Sequence, residues 1–337
     1  MKRFSSALLI TLATTLSIAT SARSASMAPQ NDSAIPRLSV DQLHPPDTRG
    51  FASTRKGASS IWFERQQLFP AWGSDSHQFG ISVSISGDRM AVGAPYDNSV
   101  GDETGAVYLF EFDGLQWTFA DKLIGLDAAP FRQFGRAVDI SGERLVVGAP
   151  FDDEAYPNAG AVYVFDLIAG SWTETAKLLA PDNSIQQGRS DQFGWSVSLS
   201  GNRTLVGKPG DDHTNAGGAS VWDSGSAYIF GFDGMSWGLE TKITPSSRSV
   251  GANFGISVSL ITDRVMIGAP GESFDLLTGG VYIFDHDGVS WSQTLRIPSF
   301  VASGFGHEVS LSDNWAFAGV NDGASEQVLV SQFDGSS

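Results

Sequence analysis

The sequence predicts an all-β chain folded as a β-propeller of four-stranded antiparallel blades. Three observations predict it. A Phe-Gly pair recurs five times, at Phe79-Gly80, Phe134-Gly135, Phe193-Gly194, Phe254-Gly255 and Phe305-Gly306. Gly-Ala-Pro follows three of these pairs, at Gly93-Ala94-Pro95, Gly148-Ala149-Pro150 and Gly268-Ala269-Pro270, with the variant Gly207-Lys208-Pro209 after the third pair. The stretches between them alternate apolar and polar residues in the two-residue rhythm of strands, and none has helical spacing. A fixed period of this size means one supersecondary unit copied along the chain.

Each unit divides into four strands. In the first unit, Ile81 to Ser86 alternates, as a strand with one buried face does. The polar turn Gly87-Asp88 leads to a second stretch, Arg89 to Gly93, which runs into Ala94-Pro95. A loop reaches Gly105, and Ala106 to Phe112 forms a third stretch rich in β-formers. Asp113-Gly114 reads as a two-residue hairpin turn, where Gly and Asp tolerate positive φ. The fourth stretch, Trp117 to Ile124, closes the unit. Its Trp recurs as Trp62, Trp117, Trp172, Trp237 and Trp291, each six residues before Leu68, Leu123, Leu178, Ile243 or Ile297. The even offset predicts that both side chains share one strand face and pack against the neighbouring blade. Burying such a Trp contributes about 2–3 kcal/mol. A row of sugar-stacking Trp residues is the competing reading.

The ends of the array are complementary. The first Trp strand, Ser60 to Leu68, has no three strands before it, and the last unit stops near Gly335, where its own Trp strand is due. The Trp62 strand is therefore expected to complete the final blade and close a five-bladed ring, covering open sheet edges. The last unit is also the most degenerate, with Ala318-Gly319-Val320 at the Gly-Ala-Pro position, which leaves a truncated longer propeller as the alternative.

Phe-Gly, Gly-Ala-Pro, Gly-x-Val-Tyr-x-Phe and Asp-Gly-x-x-Trp occur in the same order in several units. On these motifs the stretch from Trp62 to Gly335 resembles FG-GAP repeats, similar to the propeller headpiece of integrin α subunits and to bacterial exported proteins. The resemblance implies a propeller, usually seven-bladed, that serves adhesion or ligand binding. Integrin-type repeats often carry a Ca²⁺ loop between the first two strands of a blade. Here that connection is only Ser86 to Arg89, Ser141 to Arg144, Ser200 to Arg203, Thr262 to Arg264 or Ser312 to Asn314. Ca²⁺ takes six to eight oxygens, so no metal is expected at that position. The Arg that follows is expected to be a surface charge beside its turn carboxylate.

Residues 1–26 read as a secretory signal: Met1-Lys-Arg3, then a short apolar run to Thr20, then small residues. Residues 27–59, rich in Pro, Ser, Asp and Gln, read as a flexible leader, and 60–337 as the propeller. The mature chain is expected to be secreted or periplasmic, with no membrane span. With no cysteine there is neither disulfide nor N-terminal thioether lipid. The net charge of −16 opposes nucleic acid and anionic membranes as partners. A monomer is expected.

The most regular polar feature sits two residues past the Gly-Ala-Pro position: Asp97, Asp152, Asp211, Glu272 and Asp322. Equivalent propeller loops share a face, so these acids could form a ring that holds a weakly bound Ca²⁺ or a basic ligand. The competing reading is that each caps its own turn. The longest of these loops, Asp211 to Ser224, contains Trp222, which belongs to no repeat and is the leading candidate to touch a ligand. Catalysis has little support. His44, His77, His213, His286 and His307 show no metal-ligand spacing, and no Gly-x-Ser-x-Gly elbow precedes a helix. Two functions are therefore carried forward. One is a non-enzymatic exported binding or adhesion module for an extracellular protein or glycan, with no cofactor and no catalytic residues. The other is a hydrolase or lyase acting on an extracellular polymer from the central funnel.

Overall fold

A computed structural model describes residues 66–70, 77–182, 190–215, 218–274, 277–298, 304–321 and 326–332. The signal and leader segments, residues 60–65 with Trp62, His44 and Asp322 lie outside the described residues. Among the described residues there is no helix, and the strands form five successive antiparallel blades: three separate four-stranded sheets and a seven-stranded sheet in which one parallel bridge joins the last two blades. Blade one is β1 (Ser82–Ser86), β2 (Arg89–Ala94), β3 (Ala106–Phe112) and β4 (Trp117–Leu123). Blade two is β5 (Ala137–Ser141), β6 (Arg144–Ala149), β7 (Ala161–Ile168) and β8 (Ser171–Leu178). In blade three, β9 (Val197–Ser200) and β10 (Arg203–Lys208) are followed by a two-rung hairpin, β11 (His213–Thr214) and β12 (Ser220–Val221). The blade ends with β13 (Ser226–Phe232) and β14 (Trp237–Ile243). Blade four is β15 (Val258–Ile261), β16 (Arg264–Phe274), β17 (Leu277–His286) and β18 (Trp291–Pro298). Blade five contributes β19 (Phe305–Ser312), β20 (Trp315–Asn321) and β21 (Glu326–Gln332). The first strand of each blade is innermost and the fourth outermost.

The repeated motifs are explained at the blade junctions. The Gly of each Gly-x-Pro approaches the Gly of the next Phe-Gly so closely that a Cβ there would meet its carbonyl oxygen. The pairs are Gly93 with Gly135, Gly148 with Gly194, Gly207 with Gly255 and Gly268 with Gly306. Beside this contact, the Gly that opens the third strand forms a single parallel bridge with the next Phe: Gly105–Phe134, Gly160–Phe193, Gly225–Phe254 and Gly279–Phe305. The Phe ring then turns into its own blade and meets the Tyr of Val-Tyr-x-Phe edge-on. Ring centroids are 5.4, 5.2, 5.5 and 5.3 Å apart for Phe79–Tyr108, Phe134–Tyr163, Phe193–Tyr228 and Phe254–Tyr282.

The inner strands are also stitched directly. The fifth residue after each Phe accepts a backbone N–H from the next blade: Ile140 to Ser84, Leu199 to Asp139, Leu260 to Ser198 and Leu311 to Ser259. The same position within every blade thus makes the same bond, and the blades turn about one hub in chain order. The apolar cores lie between blades rather than within them. Ala91, Val107 and Leu123 of blade one pack with Phe134, Leu145 and Tyr163 of blade two, and similar clusters fill the next three junctions.

Several expectations need correction. The Trp and the aliphatic residue six positions later do not share a face. In each complete blade the fourth strand carries a one-residue bulge, at Ala120, Thr175, Glu240 and Thr294, which inverts the alternation midway. Trp172 therefore packs toward blade one and Leu178 toward blade three. Trp237 and Ile243 part in the same way. The Asp113-Gly114 hairpin is a four-residue loop, residues 113–116, whose Asp113 Oδ1 accepts N–H from Leu115 and Gln116 at 2.8 Å each. The Arg after the first turn is no lone surface charge either. Arg144 pairs with Asp166 at 2.7 Å and its guanidinium lies 4.2 Å from the Phe232 ring centre of blade three. Arg203 likewise reaches the next turn, 2.8 Å from Asp263. These arginines cross the junctions because the first turns of adjacent blades are neighbours.

Leu68 packs on the blade-one core as Leu123 packs on blade two, and Gln66 exchanges two hydrogen bonds with the Trp117 backbone. Val328, Leu329 and Val330 on β21 are exposed. Gly148→Ala is expected to lower unfolding stability by about 2–3 kcal/mol in urea melts, because a methyl has no room at the junction. Gly238→Ala, with open space around its α-carbon, is expected to change it by less than about 0.5 kcal/mol. Equal effects would contradict the junction account.

Candidate functional site

The loops after each second strand share one face with the segments that link successive blades. Blade two shows how. Asp152 follows β6, and Asp127 lies on the segment from blade one. Both lie within hydrogen-bond reach of the Tyr163 hydroxyl, at 2.8 and 2.7 Å, and share its one proton. Lys177 on β8 binds Asp152 at 3.0 Å, and Arg132 on the linking segment binds it at 2.6 Å.

The arrangement repeats. Asp97 accepts the Tyr108 hydroxyl at 2.6 Å and pairs with Lys122 at 2.8 Å. Glu272 accepts Tyr282 at 2.6 Å and Arg296 at 2.9 Å. The four described acids of the sequence motif, Asp97, Asp152, Asp211 and Glu272, are between 0% and 4% exposed. They face into the blades, and their oxygens are held by a strand-three Tyr or a strand-four Lys or Arg. Asp97 and Asp152 also accept the N–H two residues on, at 2.9 Å each, which is the turn-capping role. Burial pushes Asp97 up. Hydrogen bonds from Lys122, Ser99 and Tyr108 outweigh it and hold the carboxyl down at about 2, so Asp97 stays charged at neutral pH. Among the described residues, no three acid or histidine side chains gather as a metal site would need.

Blade three departs from the pattern. Where the other blades have Ala94, Ala149 and Ala269, it has Lys208, fully buried, 2.8 Å from Asp191 and 3.1 Å from Asp211. The position two before each Phe-Gly explains the exchange. It is His77 in blade one, Arg132 in blade two and Ala252 in blade four, and only blade three places an acid there, Asp191. Moving the cation to Lys208 compensates the acid. Burial opposes the charge on Lys208, but Asp211 and Asp191 hold its pKa above the usual lysine value. At Asp191 burial prevails over Lys208 and lifts the carboxyl, which also receives the Tyr156 hydroxyl. Asp211 resists burial through Lys208 and Lys242 and is held low.

The same blade contains a Ser–His–acid grouping that the sequence spacing did not flag. His213 Nδ1 lies 2.7 Å from Ser224 Oγ, and Nε2 lies 3.5 Å from Asp211. Burial keeps His213 below the usual histidine range. Ser224 is 0% exposed, so its hydroxyl is sealed from any substrate and the grouping braces the hairpin of β11 and β12. Trp222 lies just beyond that hairpin and is half-buried. Its carbonyl accepts N–H from Gly251 on the segment entering blade four, at 2.8 Å. A groove of about 950 Å³ on the opposite face runs between blades two, three and four. Its one prominent cation, Arg203, is already paired with Glu240 and Asp263.

The FG-GAP repeat family model matches residues 62–110, 117–165, 172–230 and 237–284, each match running from a Trp to the Phe of a third strand. The chain belongs to the FG-GAP repeat family. It is similar to human integrin alpha-11, 28% identical over 139 residues, which is 39% of this chain and 11% of that protein. Among the described residues, no helix is long and apolar enough to cross a membrane.

The charge exchange in blade three yields a test. Lys208→Ala is expected to cost about 3–5 kcal/mol, because it strands buried carboxylates. Adding Asp191→Ala copies the Ala269 and Ala252 of blade four and is expected to restore more than half of the loss in urea melts. A double variant no more stable than Lys208→Ala would refute the compensation.

Proposed function

We propose that this FG-GAP chain is a non-enzymatic, exported binding or adhesion module that contacts an extracellular protein or glycan through its loop face. One observation supports the reading above others. The recurring acids of this face and their Tyr, Lys and Arg partners are committed to one another inside the blades, while the longest described loop adds features outside the repeat. Those additions are the β11–β12 hairpin and Trp222, in the longest described loop. Family membership and the likeness to an integrin α subunit favour the same function, as does the full burial of Ser224 beside His213. The amino-terminal signal-like segment favours export.

The buried acids serve the scaffold in this reading, and ligand contact falls to what stands above them. A glycan and protein binding array probed with wild type and Trp222→Ala tests it. Saturable hits that weaken at least about tenfold in the variant are expected, as loss of a ring stacked in a contact surface requires. Turnover of an arrayed polymer without retention would overturn the reading in favour of an enzyme.

A further inference from the structure

The hub has a second off-repeat feature, on the inner rim of the same face. The residue after each Phe-Gly begins the innermost strand and is Ile81, Arg136, Trp195, Ile256 or His307. The repeat imposes nothing on this position, which is free to vary. The residue after each Pro is Tyr96, Phe151, Gly210 or Gly271. The two sets meet across junctions. Phe151 of blade two contacts Trp195 of blade three edge-on, with ring centroids 6.4 Å apart. In the next two junctions the aromatic is replaced by glycine, because a Cβ on Gly210 or Gly271 would strike the carbonyl of Ser190 or Gly251. The hub is thus aromatic on one side only.

Arg136 stands in the middle of that side. Its guanidinium lies 4.3 Å from the Trp195 ring centre. Burial pulls its pKa down, against the influence of Tyr96 and of Glu308 on β19. Among the described residues it forms no ion pair and no side-chain hydrogen bond. Five other arginines contrast with it: Arg132, Arg144, Arg203, Arg264 and Arg296 each hold a carboxylate within 3.1 Å, while Arg89 lies 3.8 Å from Glu111. In a chain of net charge −16, a half-buried cation with no described carboxylate at ion-pair distance is an exception that invites an anion. The Tyr96 hydroxyl and the Trp195 indole N–H likewise make no hydrogen bond among the described residues, so three donors are unused in one place. Stacking on Trp195 occupies a face of the guanidinium and leaves its N–H edges free, the geometry that accepts a carboxylate with two parallel bonds. The aromatic walls would hold an apolar ring beside that carboxylate. Strong negative charge on the whole molecule disfavours polyanions, which points to a ligand with one carboxylate.

We propose that Arg136, Trp195, Phe151 and Tyr96 form a hub-mouth site for a single carboxylate borne on a six-membered ring with a stackable face, either a sugar acid or an aromatic acid. The site deepens the binding-module reading and rests on it. The test titrates the full chain with glucuronate and phenylacetate, and with the neutral glucose and phenylacetamide, by saturation-transfer NMR and calorimetry. At least one acid is expected to bind saturably, with a Kd on the order of millimolar, and at least about tenfold more tightly than its neutral counterpart. The stronger acid identifies the source. Arg136→Met is expected to lose about tenfold or more for the acid and to melt like wild type, and Trp195→Ala to weaken binding of the acid. If Arg136→Met fails to fold, the comparison of acid with neutral ligand on wild type decides alone. Acids that do not saturate, acids and neutrals that bind alike, or a folded Arg136→Met that binds like wild type would overturn the site. Array ligands that Arg136→Met retains and Trp222→Ala loses would sink this site while leaving the binding-module reading intact.

Discussion

At every described blade junction, the carbonyl of one glycine lies where another glycine would have carried its side chain. This backbone-on-backbone approach fixes how closely adjacent sheets can stack, and much else follows from it. It sets the bridge from the Gly of the third strand to the next Phe, and that bridge aims the Phe ring at its Tyr partner. It also brings the inner strands close enough for one blade's Ser or Asp to accept an amide from the next. Glycine is required because no other residue leaves that space empty. The cost in chain entropy is offset by the apolar clusters that the close approach allows to form between blades.

The charge layout depends on the same stacking. A strand-three Tyr and a strand-four cation can reach the buried acid only when the second, third and fourth strands hold a constant register, as they do in blades one to four. Each acid then meets a Tyr hydroxyl or a cation, and those contacts hold the Asp97 and Asp211 carboxyls low. Blade three shows how strict the balance is: an acid at Asp191 coincides with a cation at the otherwise constant Ala position. Buried pairs of this kind are poor sources of net stability, yet breaking one is costly, so they act mainly to specify which strands meet.

Much of this architecture was legible in the sequence. The Phe-Gly and Gly-Ala-Pro spacing marked the blades, and alternation placed the strands. Turn capping by Asp97 and Asp152 was visible because its partners are two residues away. What escaped depends on register or distance. The fourth-strand bulge reversed the facing of Trp172 and Leu178, since a single extra residue is invisible to a count of even offsets. Lys122 and Lys177 lie 25 residues beyond the acids they neutralise, too far for local reasoning to pair them. The stacking of Arg136 on Trp195 joins two blades, and only their approach in space reveals it.

The recurring scaffold and the residues that interrupt it therefore do different work. The scaffold consumes its own polar groups, and the interruptions at the hairpin of blade three and at the hub rim are what remains to meet a ligand. All of this presumes blades locked to one another through their innermost strands. Native-state hydrogen exchange measures that directly, at the amides of Ile140, Leu199, Leu260 and Leu311. The account predicts that these four exchange only through global unfolding, with protection matching the full stability of the chain. Exchange through separate local openings, or rates like those of the exposed hairpin tips at residues 113–116, would show that the blades are not joined as described.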